Sequence, residues 1–185
     1  MNHTATSKEE LLTASRKLAA DEGFQALNMR AVAKACGVSV GCVYGYFPSK
    51  AELVSAVVAE IWERIFHMDE GMELPADFRA CIRWVFERIR SGSAEYPAFF
   101  QKHAEVFVGS EKAEGRRVMG LYLAELVDRM TERLGADPAV RQERFDETFT
   151  RRDLAEFIFG NLLTLGMRQA EDCDYLVRLT EKLVY

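Results

Sequence analysis

The stretch CGVSVGCVYGYFPSK, residues 36–50, decides the fold that this sequence predicts. It carries no charge before its final lysine, and it contains three glycines. Ser39 is a favoured N-cap and Pro48 ends a helix, so a short helix is expected over Ser39 to Phe47. Its outer side would consist of valine, glycine, cysteine and tyrosine, a set that suits neither a buried core nor an ordinary solvated surface.

A second short helix precedes this one in the sequence. Asn28 can cap a helix over Met29 to Cys36, and Gly37 can end that helix in the left-handed conformation. Two short helices joined by the turn Gly37-Val38-Ser39 have the spacing of a helix-turn-helix. The sequence therefore predicts that motif within residues 28–47.

Longer helices flank the motif. Ser7-Lys8-Glu9-Glu10 is a capping box that opens a helix ending near Gly23. Ser49-Lys50-Ala51-Glu52 is a second capping box, and an apolar stripe of Leu, Val and Ile follows it. We therefore expect three helices to form a DNA-binding domain over residues 1–50.

The remainder of the sequence, residues 51–185, also predicts helices only. Apolar residues recur at helical spacing, and no sustained alternation of period two marks a strand. Helices are expected near Phe78–Ile89, after Pro97, and over 110–134, 151–170 and 174–184. The predicted fold class is all-α, with an N-terminal helix-turn-helix domain over residues 1–50 and a C-terminal helical domain over residues 51–185.

Composition excludes several classes of protein. Hydrophobic residues at 49% and charged residues at 29% are typical of a globular protein with a core. No apolar run approaches a membrane span and no signal peptide precedes the first helix, so a cytoplasmic protein with no membrane partner is expected. The four cysteines have no paired spacing and no neighbouring histidines, which favours reduced thiols and no metal site. No phosphate loop, nucleophile elbow or histidine pair indicates an enzyme or a cofactor.

Charge is distributed unevenly along the chain. The formal net charge is -5, but residues 1–50 hold six basic and four acidic residues, a net of +2. The other 135 residues hold 18 basic and 25 acidic ones, a net of -7. This asymmetry permits a local surface that faces DNA on an otherwise acidic protein.

Residues 11–57 resemble the N-terminal DNA-binding domain of TetR-family (tetracycline-repressor-type) transcriptional regulators. The residues that carry the resemblance are Ala20, Gly23, Phe24, Val32, Ala33, Gly37, Val38, Ser39, Gly41, Tyr44, Phe47, Lys50 and Leu53. Two positions depart from the family pattern: Asn28 stands where threonine is common, and Gly45 lies inside the second helix of the motif. The resemblance implies that this helix is the recognition helix.

A recognition helix lies in the major groove of DNA, which explains an uncharged outer side. Tyr44, Tyr46 and Lys50 are expected to contact phosphates, and Val40 a thymine methyl group. Arg30 is the candidate for a guanine edge, and Asn28 with the amides it caps for a phosphate. The full predicted DNA-binding set is Asn28, Arg30, Ser39, Val40, Gly41, Cys42, Tyr44, Gly45, Tyr46 and Lys50. A thiol that fills a small-residue position and a redox switch are both open interpretations of Cys42.

The last two predicted helices resemble the family's dimer-forming four-helix bundle. The helix over 151–170 is apolar on more than one side, so one stripe can serve the subunit core and another a partner. A protein that reads the groove with a single helix also needs two copies. The expected homodimer contacts are Leu154, Ile158, Leu162, Leu165, Leu176, Leu179 and Leu183. A fully buried helix in a monomer is the alternative.

Aromatic residues of the central helices predict a site for a small apolar or aromatic ligand, since family members enclose ligands there. The expected contacts are Trp84, Phe99, Phe100, His103, Phe107, Met119, Tyr122 and Phe157. The alternative is that these side chains are ordinary core.

The predicted function is a ligand-responsive regulator, in the family's usual mode a repressor, that binds a pseudo-palindromic DNA operator as a homodimer. Two other classes stay open at this point. One is a helical protein-interaction module, and the other is an enzyme that keeps the fold without specific DNA binding.

Overall fold

The computed structural model describes residues 6–66, 73–97 and 111–185, with the side chains of 111–119 excepted. All regular secondary structure within these ranges is helical, which confirms the all-α prediction. The helices are α1 (Lys8–Glu22), α2 (Met29–Cys36), α3 (Val40–Tyr46), α4 (Lys50–Phe66), α5 (Phe78–Glu95), α6 (Glu111–Ala136), α7 (Arg151–Met167) and α8 (Asp174–Val184). A 3-10 turn, Gln142–Arg144, lies between α6 and α7. The helix predicted after Pro97 lies outside the described residues.

Capping residues set the helix boundaries where the sequence predicts them. Ser7 and Glu10 form a complete capping box on α1, and Asn28 caps α2. Thr150 and Asp153 form another capping box, which starts α7 and was not predicted. The helix α7 ends at Met167, earlier than the predicted end at residue 170, because the chain turns at Arg168 and Gln169 has a positive φ of 52°.

The chain packs as two compact units. The first comprises Met1–Arg64 and Glu95–Gly120, and the second Ile65–Ala94 and Leu121–Tyr185. This division follows packing density, whereas the predicted division at residue 50 follows function. The predicted domain boundary therefore stays a prediction.

The core of the first unit holds the helix-turn-helix in place. Leu11 and Ala19 of α1, Val32 of α2 and Val43 of α3 are buried, as are Leu53, Val57, Val58 and Ile61 of α4. A largely buried ion pair joins Arg16 of α1 to Glu60 of α4, and Arg64 also bonds to the same Glu60 oxygen. The other carboxylate oxygen of Glu60 is buried and has no hydrogen-bond partner among the described residues.

The second unit is built around apolar residues of α5, α7 and α8, all fully or almost fully buried: Phe78, Ile82, Ile89, Leu154, Ile158, Leu162 and Leu176. Asp137 is a buried polar residue beside this core. It accepts hydrogen bonds from the amide of Phe78 at 2.8 Å and from the hydroxyl of Tyr185 at 2.5 Å. Burial raises the pKa of Asp137, but these bonds and that of the Ala139 amide outweigh burial, so its pKa is below the ordinary value.

Candidate nucleic-acid interface

The turn between α2 and α3 fixes the angle between these two helices. Gly37 adopts the left-handed conformation (φ 66°, ψ 27°), which a side chain would strain. The hydroxyl oxygen of Ser39 accepts the amide of Cys42 at 3.2 Å and so caps α3. Val43 and Phe47 are buried and hold α3 to its own core. These contacts confirm a helix-turn-helix with α3 as its second helix.

The outer side of α3 carries no charged residue, and its two glycines add no side chain that projects from the helix. Tyr44 is half exposed, and its hydroxyl has no hydrogen-bond partner within the described ranges. Val40 and Cys42 are partly exposed, and Gly41 and Gly45 are exposed. Seven of the predicted DNA-binding residues therefore show at least part of their surface along one short helix and its cap: Ser39, Val40, Gly41, Cys42, Tyr44, Gly45 and Tyr46.

The two glycines of α3 have no packing reason inside the chain. A Cβ added at Gly45 would meet nothing within 4 Å. At Gly41 it would meet only the hydroxyl oxygen of Ser39, at an ordinary 3.8 Å. Each glycine nevertheless costs about 1 kcal/mol of helix propensity relative to alanine. Their small size leaves the outer side of α3 open to close approach by a partner.

The structure changes what Asn28 can offer a phosphate. Its side-chain oxygen already accepts the amides of Arg30 at 3.1 Å and Ala31 at 3.0 Å. Its side-chain nitrogen donates to the carbonyl of Ala26 at 3.0 Å. The two capped amides are therefore occupied, and one amide hydrogen of Asn28 is left to donate. Asn28 and the side chain of Arg30 are both exposed at the start of α2.

The hydroxyl of Tyr46 does not point to an open phosphate position. It donates to the backbone carbonyl of Thr6 at 2.6 Å, within the first unit. A tyrosine hydroxyl carries one hydrogen, so in this arrangement it has none to donate to DNA. Lys50, by contrast, starts α4 with its side chain partly exposed and no ion-pair partner among the described residues.

The cysteines near α3 give no sign of a metal site. Cys36 and Cys42 are free and partly exposed, while Cys81 and Cys173 are free and buried. Burial, followed by the nearby Glu10 and Cys42, raises the pKa of the Cys36 thiol, which makes it less reactive as a nucleophile. Among the residues that the structure describes, no group of three or more potential ligands could hold a metal ion.

Comparison with known proteins agrees with this geometry. The sequence profile of bacterial regulatory proteins of the tetR family matches residues 11–57, which span α1 to the middle of α4. Residues 11–57 are therefore a TetR-family DNA-binding domain. The chain is a DNA-binding transcriptional regulator with a helix-turn-helix, and the proteins that it resembles are regulators, not enzymes.

Two relatives align with almost the whole of this chain. The transcriptional repressor KstR of Mycolicibacterium smegmatis is 24% identical over 173 residues, which cover 93% of this chain and 82% of that protein. The KstR of Rhodococcus jostii is 26% identical over 174 residues, covering 93% and 78%.

Solved structures show the same fold. BioQ, solved with its natural double-stranded DNA operator, has a TM-score of 0.67 and 17% identity, with 96% of this chain and 97% of that one covered. FadR of Bacillus subtilis, solved in complex with stearoyl-CoA, has a TM-score of 0.65 and 19% identity, with 96% and 95% covered. At these identities the likeness concerns the fold.

Four of the seven residues predicted to form the dimer are buried in the core of the second unit. Leu154, Ile158, Leu162 and Leu176 are almost fully buried in the subunit's own core. Leu165 and Leu179 are partly exposed, and Leu183 is 39% exposed. A side chain that is already buried offers a partner no surface, so the first four are core residues of the subunit.

Other large apolar residues of the same two helices are exposed, and of these only Leu183 was a predicted dimer contact. Phe157 and Met167 of α7 and Tyr175 of α8 are each about half exposed, and Leu183 joins them. The hydroxyl of Tyr175 lies 3.5 Å from the side-chain oxygen of Asn161, which links α7 to α8. We call these four exposed residues, with Asn161, the outer α7–α8 face. A helix apolar all round gives no periodic signal that would have separated this face from the core.

The predicted ligand contacts are only partly described. Phe99, Phe100, His103 and Phe107 lie outside the described residues, as does the side chain of Met119. Trp84 is partly buried, with its ring centroid 6.3 Å from that of Phe66 and the Arg88 guanidinium 5.1 Å above it. Tyr122 is partly buried. Phe157 is half exposed on the outer α7–α8 face, which makes it a better candidate for a partner subunit than for an enclosed ligand.

The structure also bears on the membrane prediction. Within the described ranges, no helix combines the length and the apolar character that crossing a membrane requires.

Proposed function

We propose that this chain is a ligand-responsive repressor that binds a pseudo-palindromic operator as a homodimer, in the cytoplasm where bacterial DNA lies. The single observation that carries the DNA part is the empty space around Gly41 and Gly45 on α3. A helix that gives up stability at two positions without any packing gain is shaped for close contact with something outside, and the family supplies DNA as that partner.

Each residue of the interface has a role in this proposal. Tyr44 donates its unpartnered hydroxyl to a phosphate, and Lys50 adds a charge contact at the start of α4. Val40 packs on a thymine methyl group, and Arg30 donates to a guanine edge. The phosphate backbone would also pass close to Ser39, Cys42 and the remaining side-chain amide hydrogen of Asn28.

Replacing Gly45 with alanine tests the proposal directly. The added methyl group should stabilise the isolated protein by about 0.5–1 kcal/mol, because alanine is the better helix former. It should also lower affinity for the operator by about tenfold, equivalent to about 1.4 kcal/mol, because it stands between α3 and the groove. The probe is a duplex selected from random-sequence DNA by the wild-type protein, and binding is measured by fluorescence anisotropy.

Gly120→Ala is the matched control for this experiment. Gly120 is helical and exposed, and an added Cβ there also meets nothing within 4 Å. It should gain similar stability without any change in operator affinity. A Gly45→Ala protein that binds the selected duplex as well as the wild type does would contradict the assignment of α3 to the groove.

The outer α7–α8 face supports the homodimer part of the proposal. Four large apolar side chains of α7 and α8 are exposed, and a patch that they formed together would suit an interaction surface. A twofold dimer formed through this face would present two copies of α3 to half-sites about one helical turn apart.

The ligand part rests on the aromatic residues of the central helices and on a structural neighbour, FadR of Bacillus subtilis, solved with stearoyl-CoA, whose long acyl chain is apolar. A ligand acts only through different affinities for two arrangements of the protein, typically about 5–150-fold. We expect long-chain acyl thioesters or uncharged aromatic compounds to raise the melting temperature and to lower operator affinity within that range.

The control for the ligand experiment is Tyr122→Trp. A larger ring at this partly buried position should abolish the response and leave operator affinity unchanged. If no compound shifts either the melting temperature or operator affinity, the aromatic residues are core only.

A further inference from the structure

The last residue of the recognition helix is bonded to the segment that precedes α1. Tyr46 ends α3, and its hydroxyl donates to the carbonyl oxygen of Thr6 at 2.6 Å. The neighbouring residue Phe47 makes a second contact, since the Lys8 ammonium lies 5.8 Å from the centroid of its ring. Two consecutive residues at the end of α3 therefore contact the first residues of α1 and its cap.

The segment that Tyr46 contacts is itself well ordered by hydrogen bonds. The Glu10 carboxylate accepts the Thr6 hydroxyl at 2.9 Å and the Ser7 amide at 3.0 Å. The Glu10 amide in turn donates to the Ser7 hydroxyl oxygen at 3.1 Å. The bonds from Ser7 and Thr6, in that order, lower the pKa of Glu10. A hydrogen bond to this segment is therefore a bond to a fixed point of α1.

The recognition helix needs such a fixed point. It is only seven residues long and contains two glycines, so its intrinsic helical stability is low. Val43 and Phe47 anchor one side of it, and both are buried. The bond from Tyr46 to Thr6 adds a third anchor, at the exposed last turn that carries Tyr44 and Gly45.

We propose that Tyr46 is a positioning residue for DNA recognition: its hydroxyl bond to Thr6 holds the last turn of α3 against the start of α1. The proposal rests on the DNA-reading role of α3 given above. Tyr44 then remains the phosphate donor of the pair, and Tyr46 acts through the orientation of the helix. The two tyrosines are two residues apart and chemically identical, but their hydroxyls have different partners.

A double-mutant cycle separates these two roles. Tyr46→Phe should lower affinity for the selected duplex by about threefold to tenfold, the range expected for one hydrogen bond. Removing residues 2–7, which leaves Lys8 after the initiator methionine, takes away the Thr6 carbonyl. In that shortened chain Tyr46→Phe should have less than about a twofold effect, because its partner is already absent. Tyr44→Phe is the matched control and should cost the same factor in both chains.

A second measurement needs no DNA. Hydrogen exchange of the Ser7 and Glu10 amides reports the order of the segment that precedes α1. Tyr46→Phe should speed their exchange by about threefold to tenfold, and Tyr44→Phe should leave it unchanged. If the wild-type protein selects no DNA, the proposed function fails, and this measurement still decides whether Tyr46 holds the segment. It also decides alone if the shortened chain does not fold.

Two results would overturn the proposal. One is a Tyr46→Phe effect on DNA affinity that persists in full after residues 2–7 are removed, since that result makes Tyr46 a direct phosphate donor. The other is unchanged amide exchange at Ser7 and Glu10 in the full-length Tyr46→Phe protein.

Discussion

Replacing Phe157 with glutamate is expected to convert the proposed homodimer into folded monomers and to reduce operator affinity by about 10²–10⁴-fold. Phe157 is half exposed on the outer α7–α8 face, so the charge meets water in the free subunit but would be buried without a partner in the dimer. The affinity loss follows because two linked half-site contacts become two independent ones. Light scattering and anisotropy with the selected duplex measure the two effects.

Ala139→Glu is the control for this substitution. Ala139 is exposed in the turn after α6, away from α7 and α8 in sequence, and it gains the same charge. It should remain dimeric and bind the duplex as the wild type does. A wild-type protein that is monomeric at micromolar concentration would contradict the homodimer itself. A dimeric Phe157→Glu protein would place the contact on another surface.

The same reasoning shows why a buried leucine is a poor probe of association. Leu162 lies on the predicted dimer stripe but is fully buried in the subunit core. A glutamate there would bury an unpaired charge and unfold the subunit, whether or not the subunit forms a dimer. Exposed residues of the outer α7–α8 face avoid this ambiguity.

A second large effect is expected at Gly166 of α7, where alanine should destabilise the subunit by about 1–3 kcal/mol. An added Cβ would lie 2.2 Å from the Cγ2 methyl group of Ile89 on α5. This methyl sits directly on the β-carbon of a branched side chain, which has little rotamer freedom in a helix. The two helices must therefore move apart, and the buried core between them loses contacts.

Gly160→Ala on the same helix is the matched control. An added Cβ at Gly160 would have no described atom of the subunit within 4 Å. Alanine at this position should therefore stabilise the subunit by about 0.5–1 kcal/mol. Both variants are best made in the Phe157→Glu background. The free energy of unfolding in urea then belongs to the single subunit and does not depend on protein concentration. Equal effects at the two glycines would show that the approach of α5 and α7 is not set by Gly166.

The helix-turn-helix could be predicted from the sequence because each of its boundaries has a local chemical signal. Ser7, Asn28 and Ser39 cap helices, and Gly37 ends one, through contacts within a few residues of each. Such signals survive in any tertiary context, so the bounds of α1, α2 and α3 agree closely with the prediction.

The dimer surface could not be assigned from the sequence because the exposure of an apolar residue depends on the packing of distant helices. Apolar residues surround α7, and which of them face the core depends on how α5 and α8 pack against it. The structure places Leu154 and Ile158 inside and Phe157 outside, although all three are large and apolar. The role of Tyr46 was hidden for a similar reason, because its partner Thr6 is forty residues away in the sequence.

The ion pair between Arg16 and Glu60 has a consequence for how this protein responds to salt. Both side chains are more than four-fifths buried, at 15% and 17% exposure, so mobile ions screen their attraction much less than they screen surface charges. Contacts between lysine or arginine and DNA phosphates weaken steeply as ionic strength rises. A rise in salt concentration would therefore release the protein from DNA while α1 and α4 stay joined. The released protein would keep its reading surface assembled, so rebinding after dilution would proceed at the rate of encounter, without a refolding step.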